Sequence, residues 1–294
     1  MERIGFIGLG IMGKPMAGHI LKAGYPMYVY NRSKEKAAEL VEGGAVSAST
    51  PAEVAKACDI IITIVSDTPD VEAVLFGENG VAEGLSPGKI VVDMSTISAD
   101  ATRGFAKRVA EKGATMLDAP VSGGDIGAIN AKLTIMVGGD ESAFNKCVPV
   151  FQTMGTKITY MGPSGAGQAT KMANQVMVVS CLAGICEGLM LASKEGIDLN
   201  SLIDVVSGGA GASAQLTLNG PKMARRDFSP GFMIDLAVKD FGIVQQAQKS
   251  HKLAAPFTAL AVQLFAAAQS EEGGGKLGTQ AILKALERMS NYQI

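Results

Sequence analysis

An apolar run, Ile4-Gly5-Phe6-Ile7, passes directly into Gly8-Leu9-Gly10-Ile11-Met12-Gly13. That order constrains the chain more than the glycines do. A buried strand must turn sharply into a helix that starts at Met12. Gly8 permits the turn, Gly10 lets the backbone close on a pyrophosphate, and Gly13 lets the helix pack close to the strand. The free N–H groups at such a helix start, with their partial positive charge, suit phosphates. Glycine turns are common, and an empty unit of the same shape is the competing reading. The strand before the motif and a second apolar run at 27–30 after the helix favour a dinucleotide site over residues 8–13.

The first half of the chain alternates short apolar runs with helical stretches, the pattern of a parallel sheet with crossover helices. Strands are expected at 3–8, 27–30, 60–65, 90–93, 115–118 and 133–137. The run at 60–65 is continuously apolar, as a strand buried on both faces should be. Thr50 and Pro51 suit the start of one helix, and Ser98 with Asp100 the start of another that runs to Lys112 before Gly113. Past residue 160 the pattern changes. Gly162 to Gly167 reads as a flexible lead-in, and 168–194 then runs without proline, rich in Ala, Met, Val and Leu. As a helix it would be about 40 Å long. It is apolar nearly all round and is expected to be buried, partly by another subunit. Further helices are expected at 199–207, 215–225, 235–250, 256–270 and 279–290. The expected fold is α/β: an N-terminal Rossmann domain with a mostly parallel sheet (1–162) and an all-α C-terminal domain (163–294), joined by the long helix.

A length of 294 residues favours two domains, and 47% hydrophobic against 18% charged residues supports a large core. The net charge of −2 offers no basic stripe for nucleic acid, and Lys222, Arg225 and Arg226 beside Pro221 read as a solvated turn. The N-terminus superficially resembles a secretory leader, but its apolar stretch is glycine-spaced and broken by Lys14. No run of 18 apolar residues lacks a charge, so no spanning helix is expected, and the expected compartment is the cytosol. Cys58, Cys147, Cys181 and Cys186 form no CxxC pair and read as buried free thiols. The two histidines, His19 and His251, have no ligand spacing and read as surface residues without an orienting partner, so no metal is expected.

Asn31-Arg32-Ser33 closes the second strand, where NAD-binding units carry an acid for the ribose hydroxyl. Without that carboxylate a 2′-phosphate is not repelled, Arg32 can clamp it, and Ser33 can add a hydrogen bond. NADP(H) is therefore the expected cofactor. An ordinary loop cation, with NAD(H) also accepted, is the other reading. Tyr30-x-x-x-Lys34 matches a pair used by short-chain dehydrogenases, but it lies where the adenosine belongs and is set aside.

Asp118-Ala-Pro-Val-Ser122-Gly123-Gly124 follows a strand, and its hydroxyl and unobstructed N–H groups can hold a carboxylate. A plain strand-to-loop turn is the alternative. Lys171 and Asn174, three apart near the start of the long helix, share a face. A lysine and an asparagine on an apolar helix need partners, and an amine withdrawn from water suits proton transfer. A snorkelling surface lysine is the bland reading, as a surface ion pair is for Lys239-Asp240.

Taken in order and spacing, Gly8-x-Gly10-xx-Gly13, the 118–124 block, Gly165-x-Gly167-xxx-Lys171-xx-Asn174 and Lys239-Asp240 resemble the β-hydroxyacid dehydrogenase family over essentially the whole chain. Its members include 3-hydroxyisobutyrate dehydrogenase and the tartronate, glyoxylate/succinic semialdehyde and sulfolactaldehyde reductases. The resemblance implies that Ser122, Gly123 and Gly124 hold a substrate carboxylate, that Lys171 is the general acid/base, and that Asn174 orients substrate and lysine. It implies that Val65, Ser66 and Thr96 touch cofactor, that Lys239 lies near nicotinamide and substrate, and that Phe232 and Asp240 line the pocket. The implied reaction interconverts a short 3-hydroxy acid and its aldehyde acid, of the tartronate, methylmalonate or succinic semialdehyde/glyoxylate type, in a homodimer or homotetramer. Asn31-Arg32 departs from the NAD-using members. Imine reduction on a similar architecture is an alternative, but those enzymes generally lack a lysine at the Lys171 position. A non-catalytic NADP-binding module is another, against which Ser122, Lys171 and Asn174 all stand.

Overall fold

The apolar runs assemble into one nine-stranded sheet. In this computed structural model, which describes all residues from Met1 to Ile294, the chain separates into two compact units, Met1–Lys171 and Met172–Ile294. In the first unit β1 (Ile4–Ile7), β2 (Met27–Tyr30), β3 (Val46–Ser47), β4 (Ile60–Thr63), β5 (Ile90–Asp93) and β6 (Thr115–Asp118) pair in parallel, in the order β3-β2-β1-β4-β5-β6. Beyond β6 the direction reverses. β7 (Val121–Ser122) and β8 (Leu133–Gly138) are antiparallel to each other, β8 is antiparallel to β6, and β9 (Gly155–Gly162) runs parallel to β8.

Two apolar faces explain the continuous runs. Ile4, Phe6, Ile60, Ile62, Ile90 and Val92 belong to one core cluster, while Ile7, Ile61, Val91 and Met116 belong to another. Alternate residues of one strand thus enter different cores, as the two-residue strand period requires. Helices α1 (Gly13–Lys22), α2 (Ala38–Glu42), α3 (Pro51–Ala57), α4 (Thr68–Phe76), α5 (Ala99–Ala110), α6 (Gly124–Ile129) and α7 (Glu141–Phe151) connect the strands. Thr50 Oγ1 accepts from Glu53 N–H at 3.1 Å and so caps α3, and Ser98 caps α5. Since β1 pairs with β2 on one side and β4 on the other, the order in which strands are added reverses there. Gly8 and Val65 follow these strands at the crevice where α/β sheets bind ligands.

Three strands escape the sequence reading. β3 and β7 have two residues each, and β9 carries polar residues on a half-exposed face. An edge strand with one covered face lacks the apolar run that marks a fully buried one.

Helix α8 (Ala166–Lys194) starts two residues earlier than expected and spans about 43 Å. Its most apolar 18-residue window has a mean hydropathy of 1.9, so by length and composition it could cross a bilayer. Only 33% of that window is buried, with Met177 68% and Leu191 65% exposed. The expectation of a helix buried nearly all round is thus corrected for the single chain.

The second unit continues with α9 (Leu199–Ser207), α10 (Ala214–Ala224), α11 (Ile234–Ser250), α12 (Pro256–Gln269) and α13 (Ile282–Ser290). They enclose a core that includes Leu182, Cys186, Met223, Phe241, Phe265 and Ile282. The expected helix at 279–290 opens with a tight 3-10 turn at Thr279–Ala281 instead of α-helix. Arg226 is no solvated turn residue. At φ 60° it pairs through both terminal nitrogens with Glu287 (2.6 and 3.1 Å) and donates to the Ile294 carbonyl. Cys58, Cys147 and Cys186 are buried free thiols, whereas Cys181 is exposed.

Candidate active site

The glycine loop has the shape of a phosphate cradle. Gly8 adopts φ 100°, and a Cβ there would fall on the Ile64 carbonyl oxygen. A Cβ on Gly13 would fall on the Gly8 carbonyl oxygen, so α1 can start this close to β1 only with glycine. Gly10 differs. A Cβ there would meet nothing within 4 Å, so protein packing does not demand the glycine, and open space remains beside the loop. These residues fit a dinucleotide's phosphates.

Asn31 serves this loop from the end of β2. Its Oδ1 accepts from Leu9 N–H at 2.9 Å, and its Nδ2 donates to the Ser33 carbonyl at 3.0 Å. Ile11 and Arg32 are exposed, Met12 and Ser33 half-buried, and no carboxylate of the chain pairs with Arg32. His19, in the last turn of α1, has an orienting partner after all. Its Nε2 lies 3.0 Å from the carbonyls of both Ala128 and Ile129 at the end of α6.

The loops after β4 and β5 are held by a buried carboxylate that the sequence reading did not single out. Asp93 Oδ1 accepts from Thr63 Oγ1 at 2.8 Å and from Ser95 Oγ at 2.7 Å, while Ser95 Oγ accepts from Val65 N–H at 2.9 Å. Val65 and Thr96, both half-buried, are thereby set on a shared scaffold, with Ser66 exposed beside them. Asp93 Oδ2 is buried without a partner. Burial pushes the Asp93 carboxyl up to about 6, against the opposing hydrogen bonds from Ser95 and Thr63.

Asp118, at the end of β6, anchors the start of α8. Gly165 N–H donates to its Oδ1 at 2.8 Å and Gln168 N–H to its Oδ2 at 2.9 Å. The glycine-rich lead-in is therefore a fixed turn and not the flexible one expected. A Cβ on Gly167 would lie 2.5 Å from the Met136 carbonyl oxygen and 2.6 Å from that of Asp118. One helical turn on, Lys171 is 8% exposed and its Nζ donates to the Val121 carbonyl at 2.9 Å. The residue after Val121 is Ser122. Gly123 (φ 133°) and Gly124 (φ 64°) then turn the chain through backbone that side chains resist, and a Cβ on Gly124 would meet nothing within 4 Å. The bland reading of Lys171 as a snorkelling surface residue does not hold.

Within the second unit, Asn174 Nδ2 donates to Gln175 Oε1 at 3.0 Å, and Gln175 Nε2 donates to Asp240 Oδ2 at 2.7 Å. Lys239 Nζ lies 2.7 Å from Asp240 Oδ1. The Lys239–Asp240 pair is therefore not a surface pair, since the two side chains are 18% and 4% exposed. Both Asp240 oxygens are thus occupied within the unit. Phe232 packs against the helical core. Gln168 and Gln175 were missed by the sequence reading, although polar side chains on an apolar helix were the available signal.

Comparison with known proteins fits this arrangement. Residues 3–162 match the NAD binding domain of 6-phosphogluconate dehydrogenase, and residues 165–286 match the family described as NAD-binding of NADP-dependent 3-hydroxyisobutyrate dehydrogenase. The chain is 44% identical over 292 residues to the 2-hydroxy-3-oxopropionate reductase of Escherichia coli, covering 99% of both chains. It is 43% identical to a probable mitochondrial 3-hydroxyisobutyrate dehydrogenase-like protein of Arabidopsis thaliana, covering 99% of this chain and 87% of that one. The Mycobacterium tuberculosis 3-hydroxyisobutyrate dehydrogenase solved with L-serine superposes with a TM-score of 0.88 at 31% identity, covering 97% of this chain and 99% of that one. The chain belongs to the 3-hydroxyisobutyrate dehydrogenase family. It is an NAD(P)-binding hydroxyacid oxidoreductase.

The raised Asp93 carboxyl has a signed consequence. Folding favours its protonated form, so its contribution to stability is full below about pH 4 and lost as pH rises through about 6. Asp93→Asn should flatten this dependence. In urea unfolding at pH 4.5 and 7.5, the wild-type protein should lose about 2 kcal/mol more than the variant across that interval. Burial also raises the Asp118 carboxyl, which acts in both proteins and largely cancels. Equal losses in the two proteins would contradict this account of Asp93.

Proposed function

We propose that this enzyme reduces a short aldehyde acid to its 3-hydroxy acid with NADPH, and catalyses the reverse oxidation with NADP. The observation that carries the reading is Lys171, a buried amine held on the Val121 carbonyl directly before Ser122. The Gly8, Gly10 and Gly13 loop would hold the dinucleotide, whose nicotinamide would supply the hydride for the aldehyde carbon. Ser122 Oγ and the N–H groups of Gly123 and Gly124 bind the substrate carboxylate, which fixes the approach of the carbonyl. As negative charge grows on the carbonyl oxygen, the Lys171 ammonium donates a hydrogen bond to it and then the proton. The Val121 carbonyl takes one N–H of Lys171, which orients the remaining donors. In the reverse direction the neutral amine accepts the hydroxyl proton. Asn174, one turn further along the same helix, orients substrate and lysine. By the family resemblance, Lys239 is assigned a contact with nicotinamide and substrate, and Phe232 and Asp240 are assigned to the substrate. The second unit holds Asp240 through Gln175, which suits a fixed wall.

The preference for NADPH rests on Arg32. It is exposed at the end of β2, where no acid stands to meet a ribose hydroxyl, and Ser33 is beside it. The exposed apolar side chains of the second unit, among them Met177, Leu191, Val205 and Phe257, support assembly into a homodimer or homotetramer. The four free cysteines suit the reducing cytosol.

Lys171→Ala should lower turnover at least ~10²-fold while leaving NADPH binding nearly intact by fluorescence titration. Lys171→Arg should not rescue it, since a guanidinium does not give up its proton. Ser122→Ala should chiefly raise KM for the aldehyde acid. Near-normal turnover of Lys171→Ala across a panel of C2–C5 aldehyde acids would place the proton donor elsewhere.

Cofactor preference is tested by Arg32→Asp. It should weaken kcat/KM for NADPH far more than for NADH, because an attraction to phosphate becomes a repulsion. Equal efficiency of the unmutated enzyme with the two cofactors would remove the basis for this assignment.

Oligomeric state is read by sedimentation at micromolar concentration, where a dimer or tetramer is expected. A monomer would contradict the assembly assigned to the exposed apolar faces.

A further inference from the structure

Hydride transfer and proton transfer must meet on one carbonyl, so the loop beside the nicotinamide and the helix carrying the proton donor need a fixed mutual placement. Gln168 connects these two elements. It lies in the first turn of α8, three residues before Lys171, and its side chain is 0% exposed. Its Oε1 accepts from Ile97 N–H at 3.1 Å, and its Nε2 donates to the Ser95 carbonyl at 2.7 Å. One amide thus pairs with the backbone on both sides of Thr96. The backbone N–H of Gln168 is meanwhile held by Asp118, whose strand leads to Val121 and Ser122.

We propose that Gln168 is a positioning residue for the reaction, setting the Ser95–Ile97 loop against the Lys171 turn so that hydride donor and proton donor reach the same carbonyl together. This rests on the reading of Lys171 as the proton donor. The chemistry of the side chain favours this role over simple space filling. An apolar residue of the same length would fill the site and leave Ile97 N–H and the Ser95 carbonyl buried without partners. Each of these groups would then gain by moving, and the loop with it. Asparagine carries the same amide but is one methylene shorter, too short to hold both partners where they stand.

The test uses Gln168→Met and Gln168→Asn beside Lys171→Ala, with NADPH, its 4-deuterated form and the aldehyde acid turned over best by the unmutated enzyme. A misplacement of about 1 Å costs up to about 10²-fold, so kcat should fall at least ~10-fold in both Gln168 variants. KM for NADPH and for the aldehyde acid should change less than about threefold. The primary deuterium isotope effect on kcat should rise, because hydride transfer becomes slower relative to the other steps. A merely structural role would reduce the folded fraction and so lower kcat, with the isotope effect unchanged. If Gln168→Met does not fold, Gln168→Asn decides by the same two readouts. An isotope effect equal to that of the unmutated enzyme, or kcat within twofold of it while Lys171→Ala is inactive, would overturn the role of Gln168. Near-normal turnover of Lys171→Ala would instead overturn the reading of Lys171 on which this one rests.

Discussion

The Asp118 carboxylate is the constraint on which the rest of the site depends. It accepts the N–H groups of Gly165 and Gln168, donors that the first turn of any helix leaves unsatisfied. The end of a sheet strand thereby fixes the origin of a 29-residue helix. Everything on its first turns inherits that placement. Gln168 reaches the backbone around Thr96, Lys171 reaches the Val121 carbonyl, and Gly167 passes the Asp118 backbone where no side chain fits. The opposing effects on Asp118 reflect the same arrangement. Burial raises its carboxyl, and the N–H groups that it anchors draw it back down.

This explains how one apolar helix can carry both packing and chemistry. A buried lysine, two buried glutamines and a half-buried asparagine would be costly without partners. Here Gln168 and Lys171 bond to backbone fixed by the sheet, while Asn174 and Gln175 lead to Asp240 and Lys239 on α11. The apolar remainder is left partly exposed, with Met177 and Leu191 the clearest examples. A further physical demand on this surface is therefore built into the sequence.

Much of the fold is legible in the sequence. Continuous apolar runs gave the buried strands, and the long proline-free stretch gave α8 to within two residues of its start. The β9 strand was hidden because Thr156, Lys157, Thr159 and Tyr160 interrupt its apolar residues on a half-exposed edge. The candidate residues Gly8, Gly10, Gly13, Ser122 and Lys171 stood out either as glycines spaced through one strand-to-helix turn or as polar side chains beside apolar runs. Asp93, Asp118 and Gln168 were not legible as anchors, since their meaning lies in partners 30 to 73 residues away. Lys239-Asp240 looked like a surface pair because sequence carries the charges but not their burial.

The most direct test of the central claim follows the two transferred hydrogens in a single turnover. Enzyme loaded with NADPH deuterated at both C4 positions is mixed with an aldehyde acid in stopped flow, and the product is examined by mass spectrometry and NMR. The account predicts one deuterium on the carbinol carbon for each NADPH oxidised, with the hydroxyl proton drawn from the protein and water, and loss of this transfer in Lys171→Ala. Tight NADPH binding with no oxidation by any aldehyde acid, or transfer that persists unchanged without Lys171, would contradict it.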